Sequence, residues 1–272
     1  MKMFIKYIWQ LIITMNPNSF ITLTFGDMAE NHIGMEQIGQ IVNVGEGFNL
    51  TDLSRYKKKM ETIGCNCELI KLDLVDIKTE DAFILIIKDG VNKILNCSKW
   101  NKNDMFVEQL NLNMDKHAFM YGRVVNKHAR WNLCFDYKSR SPDYVNGKGT
   151  IIGYNEVPIT KILHEQLPLY FGEKAQNLKG EGNYYYNLDK CGIGFHGDSE
   201  RRKVIAIRLG HNSPPLHYQW YIHNKPVGEQ IILNINGGDL YIMSEKAVGT
   251  DWKKKNIYTL RHATGCSKFT NI

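Results

Sequence analysis

The sequence predicts an α+β protein: a double-sheet jelly roll at residues 116–272, preceded by a small α/β region at residues 1–115. The first observation behind this is a change of rhythm near residue 116. Before it, strand-like runs alternate with a helical pattern. After it, short runs rich in β-branched and aromatic residues follow one another between turn signals. The second is length: 272 residues without internal repeats can bury a sizeable core. The third is composition, 43% hydrophobic and 23% charged, which is ordinary for a globular chain and excludes the disordered and fibrous classes.

Each element follows from local chemistry. "SFITLTFGD", "CELIKLDL" and "AFILIIKDG" read as strands that end in turn residues. Between the first and second, "NLTDLSRYKKKMETIG" reads as a helix that opens at a Thr/Asp cap and stops at Gly64. "AENHIGMEQIG" is polar and punctuated by glycine, the pattern of a surface loop or a contact site. In the second region, "EGNYYYN", "KVIAIRLG", "EQIILNINGGDLYIM" and "IYTLRHATG" read as strands, interrupted by one helix, "PITKILHEQLPLYFGEKAQ". Asn236-Gly237-Gly238-Asp239 between two apolar runs predicts a hairpin. "GHNSPPLHYQWYIHNKP" reads as loop and edge strand because of its prolines. Many short strands spaced by turns argue a sandwich or double-sheet jelly roll over a parallel sheet.

Composition narrows the function classes. The net charge of +6 suits an anionic partner and equally suits a solvated basic surface. The six cysteines are scattered, and Cys65-Asn66-Cys67 is one residue too tight for the usual metal or redox spacing, so reduced cysteines are expected. The apolar start "MKMFIKYIWQLIITMN" is interrupted by Lys6 and Gln10 and lacks a small-residue cleavage signal, so it reads as a helix, a strand or an upstream extension. It is also too short to span a bilayer. The expected location is cytoplasmic or nuclear, with no secretion and no membrane partner.

"GIGFHGDSERR" carries the chemistry. A non-haem Fe(II) site takes two imidazoles and one carboxylate on one face, leaving positions open for co-substrate and oxygen. His196 and Asp198, one residue apart, place both side chains on the same side of an extended segment. The third ligand must return from far along the chain. His262 in "YTLRHATG" fits, on a strand that ends in glycine; His211, His217 and His223 compete from the Pro-rich stretch. Any one of these histidines alone reads as an ordinary surface or core residue; the metal reading rests on the three ligands in this order.

With those residues in view, about half the chain, from 120 to 270, resembles the Fe(II)/2-oxoglutarate-dependent dioxygenases, and within them the AlkB-like branch. The resemblance rests on "NYYYN", "GIGFHGDSERR", "IAIRLG", "GGDLYIM" and "RHATG" in the family's order. It implies Fe(II), 2-oxoglutarate and O2 as cofactors, with ascorbate as reductant in vitro. It also implies Asn183 and Tyr185 against 2-oxoglutarate, and Glu200, the acid that follows the His-x-Asp pair, as a substrate contact. The family's arginine beyond the distal histidine is missing, so Lys268 is expected to pair with the far carboxylate, with Arg208 as second candidate. "SEKAVGTDWKKKN" is longer than the family pattern; it covers the site or contacts substrate, with Lys253 to Lys255 as a solvated turn.

The resemblance implies oxidative demethylation or hydroxylation of a nucleic acid base that is single-stranded or flipped. Arg130, Trp131 and Tyr137, in a stretch that interleaves basic and aromatic side chains, are the expected substrate contacts; a twisted ribbon with a packed aromatic face explains the same pattern. A 2-oxoglutarate-dependent hydroxylase of a protein side chain or small molecule is the alternative, favoured by a lysine anchor. A non-enzymatic module on the same fold is the third reading, disfavoured by the intact ligand set.

Overall fold

The structure is a computed structural model that describes residues 18–74 and 77–272. The apolar start, residues 1–16, lies outside the described residues. The fold is mixed α+β, mostly strands.

The larger sheet has eight strands. In spatial order they are β4 (Cys67–Lys71), β5 (Phe83–Ile87), β15 (Leu240–Met243), β12 (Val204–Leu209), β1 (Phe20–Gly26), β10 (Lys179–Tyr185), β8 (Trp131–Asp136) and β9 (Ile151–Gly153). All neighbours are antiparallel except β8 and β9. Residues before 116 therefore supply β1, β4 and β5 to the same sheet as the later strands, and hydrogen bonding runs through the 115/116 boundary. The smaller sheet orders β11 (Gly192–His196), β16 (Thr259–Gly265), β13 (Leu216–Ile222) and β14 (Lys225–Leu233). Two hairpins stand apart: β2 (Met28–Glu30) with β3 (Gln37–Gly39), and β6 (His117–Met120) with β7 (Arg123–Asn126).

Period-2 alternation sorts the larger sheet into two faces. Ile21, Leu23 and Phe25 of β1 and Ile205, Ile207 and Leu209 of β12 face one way. They pack on α1 (Leu50–Thr62), α2 (Gly90–Leu95), α3 (Lys102–Leu110) and α4 (Pro158–Phe171). Helix α1 meets this layer through Leu53, Tyr56 and Met60, spaced to fall on one side. Its cap is Asn49, which accepts from the Asp52 amide at 3.0 Å while Asp52 accepts from the Asn49 amide at 3.2 Å. The cap expected at the Thr/Asp pair therefore falls earlier, and Asp52 is the other half of the box. Val204 and Ala206 of β12, with Ile84, Ile86, Tyr241 and Met243, face the smaller sheet and pack on Tyr218, Trp220 and Leu260. The molecule is thus a helix layer, a large sheet and a small sheet.

Two strand assignments change. The Asn236–Asp239 turn is tight, with the Asp239 amide on Asn236 O at 3.0 Å and Asp239 Oδ2 accepting from the Asn236 amide at 2.9 Å. It joins no hairpin, because β14 pairs with β13 in the small sheet and β15 with β12 and β5 in the large one. Turn chemistry reverses the chain but does not choose the partner; burial of Leu240, Tyr241, Ile242 and Met243 does. The stretch read as loop and edge strand contains β13, an interior strand between β16 and β14. Pro214 and Pro215 precede the strand, and the third proline, Pro226, pairs opposite Tyr221 on β14, an edge strand where a missing amide is tolerated.

Candidate metal centre and its cavity

β11 and β16 run antiparallel, and their register sets His196 opposite His262 after an irregularity between Ile193 and His196. Asp198 follows two residues later. Its carboxylate Oδ1 lies 3.5 Å from His196 Nε2 and 3.6 Å from His262 Nε2. The three ligand atoms lie within 4.8 Å of one another, a span that one divalent cation closes with small side-chain rotations.

The glycines around this pair have a steric reason. Asp198 donates its amide to Val248 O at 3.0 Å, which draws the turn after α5 (Glu245–Val248) onto the loop. A Cβ on Gly197 would sit 2.0 Å from Gly249 O, so no other residue fits there. Gly249 itself has φ 76°, the left-handed region.

Protonation states suit a cation. His196 Nδ1 lies 2.8 Å from the Gly194 carbonyl, which can only accept, so Nδ1 carries the hydrogen and Nε2 keeps its lone pair. Burial, helped by the neighbouring His196, lowers the His262 pKa and favours its neutral form. Burial alone would raise the Asp198 carboxyl, but the Arg201 guanidinium and the two histidines hold it well below the usual carboxylate range. Arg201 is itself buried and paired to Glu181 and, at 2.7 Å, to Glu200, with Asp198 Oδ2 3.6 Å from its Nε.

These residues line one wall of a cavity of about 690 Å3 between the sheets. The opposite wall is the large sheet, where Thr22, Thr24, Asn183, Tyr185 and Arg208 face inward. Arg208 is 1% exposed; its Nη2 donates to Thr264 Oγ1 at 3.2 Å, and its guanidinium lies 4.9 Å from the Phe20 ring centre and faces the Tyr241 hydroxyl. Its Nε and Nη1 have no partner among the described residues, nor has Thr22 Oγ1. A buried guanidinium with two uncommitted nitrogens costs several kcal/mol unless an acceptor fills the space, on the order of 1–3 per lost bond. Those donors leave room for an acceptor at that end of the cavity.

Other expected site residues divide. Asn183 lines the cavity; its Oδ1 accepts from Arg130 Nε at 2.8 Å and from Asn132, and its Nδ2 donates to Glu181 at 2.9 Å. Tyr185 lines the cavity and stacks on Phe20 with centroids 4.2 Å apart. Arg130 and Glu200 are also on the wall. Lys268 is not. It is exposed on α6 (Ser267–Thr270), over the Phe269 ring and away from the cavity, whereas Arg208 lines it. Trp131 packs outside the cavity on Tyr186, with centroids 4.2 Å apart, and Tyr137 packs edge-on against Tyr154. Trp252 and Lys253 reach the cavity, whereas Lys254 and Lys255 are exposed.

The β2–β3 loop supplies the wall that sequence reasoning missed. Glu30, Asn31, His32, Ile33, Gly34, Met35 and Gln37 all line the cavity. Asn31 holds the loop down, donating to Asp115 at 2.7 Å and accepting from the buried Lys127 at 2.6 Å. The signal available was "NHIGM", a polar loop with no independent mark of its target. Burial, together with Glu200, raises the Glu30 carboxyl to about 7.

Among known proteins, the chain is 48% identical over 255 residues to Uncharacterized protein R156 of Acanthamoeba polyphaga mimivirus, covering 92% of this chain and 96% of the relative. The two belong to one protein family. No family model matches the chain. No helix among the described residues is long and apolar enough to cross a membrane.

Proposed function

We propose that this protein is an Fe(II)/2-oxoglutarate-dependent dioxygenase of the AlkB-like branch, its two packed sheets a jelly roll, acting on a methylated nucleic acid base. One observation carries the reading. A two-histidine, one-carboxylate set and a buried arginine with two unpartnered nitrogens share a single cavity. A metal site alone would not need the arginine, and a structural arginine would not be left half-bonded.

The residues fit the groups. His196, Asp198 and His262 would hold Fe(II), and Arg208 with Thr22 and Thr264 would take the far carboxylate of 2-oxoglutarate. Bound there, iron and 2-oxoglutarate supply an O2-driven oxidation that yields succinate and CO2 and hydroxylates a substrate C–H bond; an N-methyl group so hydroxylated leaves as formaldehyde.

The chain's own side chains supply orientation and charge. Gly194 fixes the His196 ring through its Nδ1 hydrogen. Arg201 keeps Asp198 ionised, and Glu181 and Glu200 keep Arg201 in place. Trp252 donates to Ser199 Oγ at 2.8 Å and covers the loop that carries Asp198. A cavity of this volume accommodates a nucleobase beside the co-substrate. Arg130 at its wall is the group nearest in sequence to the basic stretch that would meet phosphates. The alternative of a protein or small-molecule hydroxylase drew on a lysine anchor, and Lys268 stands outside the cavity.

The test is calorimetric titration of 2-oxoglutarate into protein loaded with Mn(II) under nitrogen. Binding by the natural protein, its loss in Asp198→Ala and weakening on the order of 100-fold in Arg208→Met are the expected results. Binding that is indifferent to both substitutions contradicts the reading.

A further inference from the structure

The stretch from Ser244 to Asn256, which is longer than the family pattern, lies between β15 and β16. It is tied to the metal loop at three points. The Asp198 amide donates to Val248 O at 3.0 Å, Thr250 Oγ1 to Arg201 O at 3.0 Å, and Trp252 Nε1 to Ser199 Oγ at 2.8 Å. None of the three uses a ligand side chain. They hold the chain on both sides of Asp198 and leave its carboxylate to the site.

The same stretch is tied to the other ligand strand from behind. Alternation along β16 sends His262 to the cavity and the preceding Arg261 to the opposite face of the small sheet. There the buried Arg261 guanidinium lies 4.1 Å from the Tyr221 ring centre and 5.2 Å from that of Trp252. Its Nη2 donates to Trp252 O at 3.1 Å and to Asn224 Oδ1 at 2.7 Å. Asn224 belongs to the two-residue turn that joins β13 to β14, with φ 50° at His223 and 60° at Asn224. The His223 amide closes this contact by donating to Lys255 O at 2.9 Å. Trp252 therefore bonds to the neighbour of a ligand on each side: Ser199 beside Asp198, and Arg261 beside His262.

We propose that Trp252 and Arg261 form a brace that fixes the Asp198 loop against the His262 strand, so that both are positioning residues for the metal centre. This rests on the metal reading of the site and needs neither 2-oxoglutarate nor substrate. His262 Nε2 and Asp198 Oδ1 stand 3.6 Å apart. A brace across their neighbours holds that gap before a cation arrives, so less freedom is lost when it binds. A strap that served stability alone would change Tm and leave the metal indifferent.

The experiment is titration of Co(II) into the full chain under nitrogen, followed by visible absorption, with Tm measured on the same samples before metal is added. Trp252→Phe keeps a ring and loses the indole donor, and Ser199→Ala loses its acceptor. Each is expected to weaken Co(II) binding about tenfold and to shift its ligand-field bands. The double variant is expected to be no weaker than either single one, because one bond joins the two residues. Arg261→Met weakens binding roughly 10- to 100-fold, and Arg261→Lys does not restore it, since an ammonium has no planar fork to stack between two rings and bridge two acceptors. Affinity and bands that match the natural protein in Trp252→Phe and Arg261→Met, whatever Tm does, overturn the brace and leave the metal reading standing. Additive losses in the double variant also overturn it. Natural protein that takes up no Co(II) overturns the metal reading, and the brace with it.

Discussion

The space between the two sheets has two ends that obey opposite rules. At one end Trp220, Leu260 and Ala206 close into an apolar cluster with Val204 and Met243, which also border the cavity, and Trp220 Nε1 donates to Leu72 O at 2.8 Å. At the other, Thr22, Asn183, Arg208 and His262 line open volume, and three of the four have a polar atom with no partner among the described residues. One strand, β12, serves both: Ala206 lies in the dry cluster, Val204 belongs to that cluster and also borders the cavity, and Arg208, on the same face, points into the wet end. The lesson is that the dry end secures the sandwich and lets the wet end carry polar groups that stability alone would not select.

Substitutions can break that division, and the largest effect belongs to the wet end. Asp198→Ala leaves two histidines without their carboxylate, and metal retention measured by equilibrium dialysis is expected to fall by at least about a thousandfold while circular dichroism stays unchanged. Next is the dry end. Trp220→Ala opens a cavity and strands the Leu72 carbonyl, with an expected loss of about 3–5 kcal/mol in denaturant unfolding.

Arg208→Met sharpens the contrast because its two effects have opposite signs. Affinity for 2-oxoglutarate falls on the order of 100-fold, whereas Tm holds or rises, since a half-bonded buried charge is replaced by an apolar side chain of similar length. Lys268→Ala, outside the cavity, is expected to change neither.

The smallest effect is a pH dependence at the cavity wall. Glu30 titrates near 7 in the folded protein, against about 4.5 for an ordinary glutamate. A carboxyl raised on folding contributes stability that is present below pH 4.5 and lost as pH rises through 7. Glu30→Gln cannot ionise, so its Tm should exceed that of the natural protein at pH 8, and the gap should close at pH 5.

Much of this was legible in the sequence, and what was not has physical causes. His196, Asp198 and His262 were readable because a two-histidine, one-carboxylate set needs fixed residue types, and because one intervening residue dictates a shared side. The strands β1, β5, β10, β12 and β16 were readable from β-branched runs between turns. The partner of β15 was not, because Asn236–Asp239 specifies a reversal and the sheet each strand joins depends on which apolar face is left uncovered. Strand alternation from Val204 aims Arg208 between the sheets, a placement that position relative to the distal histidine does not indicate. The β2–β3 wall was legible only as a surface loop or a contact site, without its target. Asn31 reaches Asp115 and Lys127 across more than eighty residues, and local pattern carries no record of that contact.

The most direct test of the central claim is succinate formation by anaerobically purified protein given Fe(II), ascorbate and 2-oxoglutarate, then oxygen, with and without a methylated single-stranded oligonucleotide. The account predicts slow succinate from the protein alone, faster succinate with formaldehyde when the oligonucleotide is added, and none from Asp198→Ala. Protein that retains no iron and forms no succinate under either condition would contradict it.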